Sequence, residues 1–211
     1  MRVILASTSP RRRALLALLG VPFDVVIPTC DERMIPGLGA MESVCYFAQL
    51  KTHSVSKDHP DAAVVGSDTL IECEGTVLGK PADLDQARAT LRRLAGRRHQ
   101  VHTAVTVSCL SLLLETTQLS TAHVAMKPYD AALHERYLAT GDSLGKAGAY
   151  SIQGPGSELI ERLDGDFTTV VGLPLRLTAK LLTQVGVELR ADVERLYDLK
   201  PYENWAKFAQ Q

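Results

Sequence analysis

The sequence has few cysteines, few aromatic residues and almost no net charge. Its four cysteines lie far apart and form no C-x-x-C pair, which gives no zinc framework, and a chain of 211 residues does not need disulfides. The net charge of −1 provides no global field that would attract nucleic acid or an anionic membrane. No apolar run reaches the ~20 residues that a membrane-spanning helix needs. We therefore expect a cytoplasmic protein with free thiols that binds neither nucleic acid nor membrane.

The first residues contain a pattern that also occurs in targeting segments. Arg11, Arg12 and Arg13 precede an apolar run, and no acidic residue occurs before Asp24. A strand-like run over residues 3–6 lies before the arginines, however, and no small-x-small cleavage site follows them. These features favour a folded N-terminal region over a targeting signal.

Strand-like and helix-like segments alternate along the first half of the chain, and two long β segments follow. The predicted strands cover residues 2–6, 23–27, 62–71, 100–109, 114–126 and 158–163, with a hairpin turn near residues 74–75. The predicted helices cover residues 10–20, 39–57, 83–95, 130–140 and 174–185. This pattern predicts an α/β fold with a mixed sheet covered by helices.

The end of the chain differs in composition from the rest. Residues 191–211 contain Tyr197, Tyr202, Trp205 and Phe208, a large share of the few aromatic residues. We predict one domain over residues 1–190 and a helical, aromatic-rich extension over residues 191–211. Such a cluster packs back on the domain or meets a second subunit, and local packing is favoured over a catalytic role.

The first predicted helix begins with an unusual concentration of positive charge. Ser9 is suited to the N-cap and Pro10 to the first helical position. Arg11, Arg12 and Arg13 then occupy the first turn, where the helix dipole prefers anions. Helical geometry puts Arg11 and Arg12 beside the buried leucine face and Arg13 nearly opposite. We therefore expect Arg11 and Arg12 to meet an anionic ligand and Arg13 to face solvent.

A carboxylate interrupts the most apolar predicted strand. Residues 62–71 are apolar except for Ser67, Asp68 and Thr69. A buried carboxylate is costly unless it is paired, hydrogen-bonded or bound to a metal. Neighbouring backbone or hydroxyl groups could satisfy Asp68, and the strand alone does not decide between that interpretation and a functional one.

Further charged residues favour a functional site. Lys80 follows the predicted hairpin, Glu32 follows the second β segment, and Lys51 lies on the next helix. Separated acids and several cations suit a site for a metal–triphosphate complex, in which Mg²⁺ bridges phosphate oxygens. The glycine-rich run over residues 145–154 contains Lys146 and Gln153, which could face a ligand, but it matches neither the Walker A nor the dinucleotide pattern.

Taken in order, these stretches resemble the Maf family (septum-formation inhibitor homologues), nucleoside triphosphate pyrophosphatases with an α/β fold. The matching stretches are Leu5-Ala6-Ser7-x-Ser9-Pro10-Arg11-Arg12, Gly66-Ser67-Asp68-Thr69, Gly79-Lys80-Pro81, Lys146-Ala147-Gly148-Ala149-Tyr150, Ile152-Gln153-Gly154, Asp164-Gly165-Asp166 and Val171-Gly172-Leu173-Pro174. The resemblance implies a Maf/ITPase-like fold, with a mixed twisted β-sheet, flanking helices and a central cleft. It runs from about residue 3 to residue 185.

The resemblance also implies roles for individual residues. Asp68 matches the catalytic acid of the family, expected to act as a general base toward water, and Glu32 and Asp68 are expected to hold Mg²⁺ or Mn²⁺. The expected substrate-binding residues are Ser7, Ser9, Arg11, Arg12, Lys51, Thr69, Lys80, Lys146 and Gln153. Among these, Arg11, Thr69 and Gln153 match the positions that separate the specificity groups of the family.

Those three positions are similar to the group that acts on dTTP and UTP rather than on 7-methyl-GTP. The resemblance therefore implies hydrolysis of dTTP and UTP, and of modified pyrimidine nucleotides, to the monophosphate and pyrophosphate. The alternatives are a non-catalytic nucleotide-binding regulator of cell division and a broader house-cleaning pyrophosphatase for non-standard nucleotides. A homodimer is also expected, because members of the family are often dimers.

Overall fold

The computed structural model describes residues 1–208, so residues 209–211 at the end of the predicted extension lie outside the described residues. The chain forms two compact units, each assembled from separate stretches. Unit 1 contains Met1–Thr69, Thr103–Ser120 and Gly172–Leu199. Unit 2 contains Leu70–His102, Thr121–Val171 and, within the described residues, 200–208.

The strands form a mixed sheet, which confirms the predicted α/β class. Its strands are β1 (Val3–Ala6), β2 (Phe23–Val26), β3 (Ala63–Cys73), β4 (Thr76–Leu78), β5 (Arg98–Cys109), β6 (Leu114–Met126) and β7 (Ile160–Asp164). Their order is β2-β1-β3-β5-β6-β7, and β4 pairs with β3. Strand β1 runs parallel to β2 and β3, whereas β4 is antiparallel to β3 and β7 is antiparallel to β6.

The helices agree closely with the predicted segments. They are α1 (Pro10–Ala17), α2 (Ala40–Ser56), α3 (Leu84–Leu94), α4 (Ala131–Ala139), α5 (Phe167–Val171), α6 (Leu175–Gln184), α7 (Val193–Leu199) and α8 (Glu203–Phe208). Helix α5 has no counterpart among the predicted elements. None of the helices within residues 1–208 is both long enough and apolar enough to cross a membrane.

The core of unit 1 determines how α2 meets the sheet. Ile4 and Val64, on neighbouring parallel strands, pack with Val55 of α2 in one buried cluster. Gly66 permits a close approach of the helix, because an added Cβ would lie 2.1 Å from Thr52 Oγ1. Helix α2 therefore packs against β3 at the position where the polar triplet begins.

Unit 2 joins two of the glycine-containing stretches that were identified in the sequence. The Gly148 N–H donates to the Gly79 carbonyl at 3.1 Å. Gly148 has a φ of +67°, and an added Cβ would lie 2.7 Å from Ile71 Cδ1. Within this unit, the segments that carry Lys80 and Lys146 are therefore hydrogen-bonded to each other.

The cysteines behave as predicted. All four are free thiols, and Cys73 and Cys109 are buried whereas Cys30 and Cys45 are partly exposed. Burial raises the pKa of Cys30, Cys45 and Cys73, so these thiols stay protonated at neutral pH.

Candidate functional site

Asp68 lies on the face of β3 that helix α2 covers. Gly66 and Asp68 share this face, because residues two apart in a strand point the same way. The Lys51 ammonium donates to Asp68 Oδ1 at 2.6 Å. The two side chains are only 7% and 9% exposed. An ion pair therefore satisfies the carboxylate, rather than the backbone or hydroxyl groups that the sequence left as an alternative.

Glu32 approaches the same ammonium from the segment between β2 and α2. Its Oε2 lies 2.9 Å from Lys51 Nζ, and its side chain is 43% exposed. One buried cation thus bridges two carboxylates, of which Asp68 is shielded from solvent and Glu32 is accessible. The predicted association of Glu32, Lys51 and Asp68 is present in unit 1.

The opposite face of β3 holds an arginine of helix α1. Arg12 Nη2 donates to Thr69 Oγ1 at 3.2 Å, and Arg12 Nε donates to the Gly172 carbonyl at 2.9 Å. The buried Ser67 hydroxyl donates to the same carbonyl at 3.0 Å. The Thr69 hydroxyl also hydrogen-bonds Thr103 at 3.0 Å. The alternation of β3 therefore directs its polar residues to Lys51 on one face and to Arg12 on the other.

The loop before α1 is organised by its own serines. Ser7 Oγ accepts the Ser9 N–H at 3.1 Å, and Ser9 Oγ accepts the Arg12 N–H at 3.4 Å. Ser9 is the N-cap of α1 and Pro10 follows it in the first turn, as predicted. Arg13 is exposed, as helical geometry also predicted.

The charged side chains of this site affect the pKa of Arg12. Burial lowers the pKa of the Arg12 guanidinium, Asp68 raises it, Arg11 lowers it and Glu32 raises it. The arginines at the start of α1 therefore share one electrostatic environment with the two carboxylates. The arrangement concentrates cations around a buried acid, as binding of a polyanion requires.

The remaining predicted substrate-binding residues, Lys80, Lys146 and Gln153, belong to unit 2. Lys80 is exposed and follows β4. Lys146 Nζ pairs with Asp142 Oδ1 at 2.9 Å. The backbone carbonyl of Gln153 accepts a hydrogen bond from the Asn204 side chain at 2.9 Å. Their assignment to the substrate stays a prediction from the family resemblance.

The metal-binding prediction concerns two carboxylates only. Across residues 1–208, no group of three or more His, Cys, Asp or Glu side chains is arranged to hold a metal ion. Mg²⁺, however, is commonly bound through one or two carboxylates together with substrate phosphates and water. The neighbouring oxygen donors of Glu32 and Asp68 fit that mode of binding.

Three residues of this site received no role in the sequence analysis. The Gly172 carbonyl, the Ser67 hydroxyl and Thr103 fix the positions of Arg12 and Thr69. The sequence offers a reason to consider only Ser67 and Gly172, since each lies in a stretch that resembles the Maf family. Thr103 lies within a long β segment, and no local pattern distinguishes it.

The site of this α/β protein combines a buried carboxylate, a buried ammonium and an arginine that is hydrogen-bonded to Thr69 of β3. The Maf family model, described as Maf-like protein, matches residues 2–185. The chain belongs to the Maf family.

Curated relatives are similar to the chain over most of its length. A protein of Bacillus velezensis named dTTP/UTP pyrophosphatase is 40% identical over 187 residues, which cover 89% of this chain and 98% of the relative. Proteins of the same name from Symbiobacterium thermophilum and Deinococcus radiodurans are each 42% identical over 189 residues, which cover 88% of this chain and 94% of each relative.

Proposed function

We propose that this protein hydrolyses dTTP and UTP to the nucleoside monophosphate and pyrophosphate. The observation that supports this most directly is the buried Asp68–Lys51 ion pair, which Glu32 joins and to which Arg12 is coupled electrostatically. The names of the relatives support the same reaction and the same substrates. A nucleoside triphosphate is therefore the proposed partner. The cytoplasmic location and the homodimer belong to the same proposal and rest on composition and family resemblance.

The cations of the site receive the phosphates in this proposal. Arg12 and Lys51 neutralise phosphate oxygens, and the charge of Arg11 adds to theirs. Lys80 and Lys146 take the same role by family resemblance. Catalysis of phosphorus–oxygen cleavage depends mainly on positioning and on charge stabilisation, so fixed cations account for most of the rate enhancement. Hydrogen bonds to Gly172 and Thr69 hold Arg12 in place before substrate arrives.

Asp68 acts on the attacking water. Its Oδ1 accepts from Lys51, which leaves Oδ2 as the oxygen that we assign to the water or to a metal. The water oxygen forms a bond to the α-phosphorus, its proton passes to Asp68, and the bond to the bridging oxygen breaks. Pyrophosphate leaves with that oxygen. Asp68 either takes the proton itself or mainly holds the metal.

Glu32 and Asp68 are the residues that would hold Mg²⁺ or Mn²⁺. A bound divalent cation would neutralise phosphate charge and make a coordinated water easier to deprotonate. Because Glu32 is accessible to solvent, it can exchange its contact with Lys51 for a new ligand more readily than Asp68 can.

Gln153 is proposed to read the base. Its side-chain amide offers one acceptor and one donor group, which complement the N3–H and the carbonyl of uracil or thymine. This role rests on the family resemblance and on the chemistry of the amide.

A panel of nucleoside triphosphates tests the proposed function. We expect UTP and dTTP, with Mg²⁺ or Mn²⁺, to yield equal amounts of monophosphate and pyrophosphate, and activity to be lost when the cation is chelated. Release of inorganic phosphate instead of pyrophosphate would mean attack at a different phosphorus. Tight UTP binding without any product would favour the alternative function, a non-catalytic nucleotide-binding regulator of cell division.

Substitution of Gly172 tests the positioning of Arg12. Gly172 has a φ of +118°, and an added Cβ would lie 3.2 Å from Thr69 Oγ1. We expect Gly172→Ala to lower the unfolding free energy by about 1–3 kcal/mol through backbone strain. We also expect it to reduce kcat/KM for UTP by about tenfold, because displaced catalytic groups lose effective concentration.

Gly186→Ala is the matched control for this substitution. Gly186 also has a positive φ, +86°, but an added Cβ there would have no neighbour within 4 Å. Thermal unfolding should report strain in both variants, whereas UTP hydrolysis should fall only for Gly172→Ala. Equal activities of the two variants would contradict the positioning role of Gly172.

A further inference from the structure

The C-terminal segment, residues 200–208, lies beyond the part of the chain that the family model matches. It contains helix α8 and belongs to unit 2. Trp205 and Phe208 are buried, and the Trp205 ring stacks on Phe167 with 5.4 Å between ring centroids and an interplanar angle of 9°. The aromatic residues of the segment therefore anchor it on the same unit, in agreement with the local packing that the sequence predicted.

The polar side chains of this segment hold one loop, residues 151–157, by its backbone. Asn204 Nδ2 donates to the Gln153 carbonyl at 2.9 Å and contacts the Gly154 carbonyl at 3.4 Å. Lys207 Nζ donates to the Ser157 carbonyl at 3.2 Å. Three backbone carbonyl groups of the loop thus accept hydrogen bonds from two side chains, and both side chains lie beyond the region that the family model matches.

The Gln153 side chain contacts the same segment. Burial raises the pKa of the Tyr202 phenol, and a hydrogen bond with the Gln153 side chain lowers it. The C-terminal segment therefore contacts Gln153 through both its backbone and its side chain.

We propose that the C-terminal segment positions Gln153, and that Tyr202 and Asn204 are positioning residues that set the selectivity for the base. This inference rests on the proposed base-reading role of Gln153. It gives the C-terminal segment a role in nucleotide recognition, whereas the family resemblance implies no role for this segment.

The chemistry of the amide explains how a phenol can affect selectivity. Uracil presents an acceptor at position 4 and a donor at position 3, whereas cytosine presents the reverse, so the two amide orientations of glutamine favour different bases. A hydrogen bond with the Tyr202 phenol restricts rotation of the Gln153 amide, so that the amide presents its donor and its acceptor in fixed directions. Without the phenol hydroxyl, Gln153 can adopt either orientation and accept either pyrimidine.

The test compares UTP with CTP for Tyr202→Phe, for Asn204→Ala and for the control Tyr197→Phe. Tyr197 lies in the preceding helix α7, where its ring packs on the Arg176 guanidinium. A lost hydrogen bond corresponds to a factor of about three to ten. We expect Tyr202→Phe and Asn204→Ala to lower the UTP/CTP ratio of kcat/KM by that factor through a higher KM for UTP. The control should keep the ratio and the melting temperature of the wild type.

Equilibrium binding of UTP and CTP is measured beside turnover. An unchanged UTP/CTP ratio in both test variants would overturn the proposal, as would an equal loss for both nucleotides accompanied by a lower melting temperature. A wild-type protein without preference for UTP would also overturn it. Selective binding of UTP without release of pyrophosphate would instead refute the proposed hydrolysis, and the change in selectivity would still be measured by binding.

Discussion

Asp68→Asn is expected to reduce kcat for UTP by about 10²–10⁴-fold, the range in which general-base assistance contributes to catalysis. Asparagine keeps the shape of the side chain and can still contact Lys51, but it accepts no proton and binds cations weakly. The affinity for UTP, measured by calorimetry, should change little, because Arg12 and Lys51 remain. Steady-state release of pyrophosphate gives the turnover.

Asp61→Asn is the control for the loss of a carboxylate. Asp61 is exposed and lies two residues before β3 begins. This variant should keep wild-type turnover. If Asp68→Asn kept more than about a tenth of that turnover, general-base catalysis of the expected size would be ruled out at this residue.

The Asp68→Asn variant also distinguishes the two roles of Asp68, which are to hold the cation and to accept the proton. If the carboxylate mainly holds the cation, a higher concentration of Mg²⁺ or Mn²⁺ should restore much of the activity of Asp68→Asn. If it accepts the proton, saturating cation should leave kcat low, because the missing group acts after the cation has bound.

Lys51→Met is expected to damage both stability and turnover. Removal of one partner from a buried ion pair leaves the other charge uncompensated and costs about 3–5 kcal/mol. Loss of a cation that stabilises developing negative charge typically reduces kcat by about 10²–10³-fold. Chemical denaturation gives the first quantity, and initial rates with saturating UTP give the second.

The double variant Lys51→Met/Asp68→Asn identifies the cause of the destabilisation. We expect it to unfold at a higher denaturant concentration than Lys51→Met alone, because asparagine removes the unpaired charge. Lys57→Met, at the exposed C-terminal end of the same helix, should change neither stability nor turnover appreciably. Additive effects of Lys51→Met and Asp68→Asn would contradict the direct coupling of the two residues.

Much of unit 1 could be predicted because its signals are local. Ser9 and Pro10 define the start of α1 through capping chemistry. The cost of a buried acid indicates that Asp68 needs a partner, but the strand alone does not decide which group that partner is. Lys51 is predicted only as a cation of the same site, and the 2.6 Å contact identifies it as the partner of Asp68.

The hydrogen bonds that orient Arg12 could not be predicted in the same way. The Gly172 carbonyl is 160 residues away in the sequence, and every residue except proline carries the same backbone groups. The stretch around Gly172 resembles the family, but this resemblance does not imply that the Gly172 carbonyl accepts hydrogen bonds from both Arg12 and Ser67.

Helix α5 is absent from the predicted elements for a local physical reason. Four of its five residues are the β-branched Thr168, Thr169, Val170 and Val171, which have low helix propensity. The Asp166 carboxylate compensates by accepting the N–H groups of Thr168 and Thr169 at 3.2 Å and 3.0 Å. Such a short helix depends on a single capping acid rather than on hydrophobic periodicity.

The absence of a side chain at Gly66 sets the distance between helix α2 and strand β3. Since a methyl group there would overlap Thr52, any larger residue must push the helix outward and draw the ammonium of Lys51 away from its carboxylate. The spacing of the Asp68 and Lys51 charges thus depends on a residue that carries no functional group. A side chain at Gly66 is therefore expected to weaken the Asp68–Lys51 contact for a steric reason rather than a chemical one.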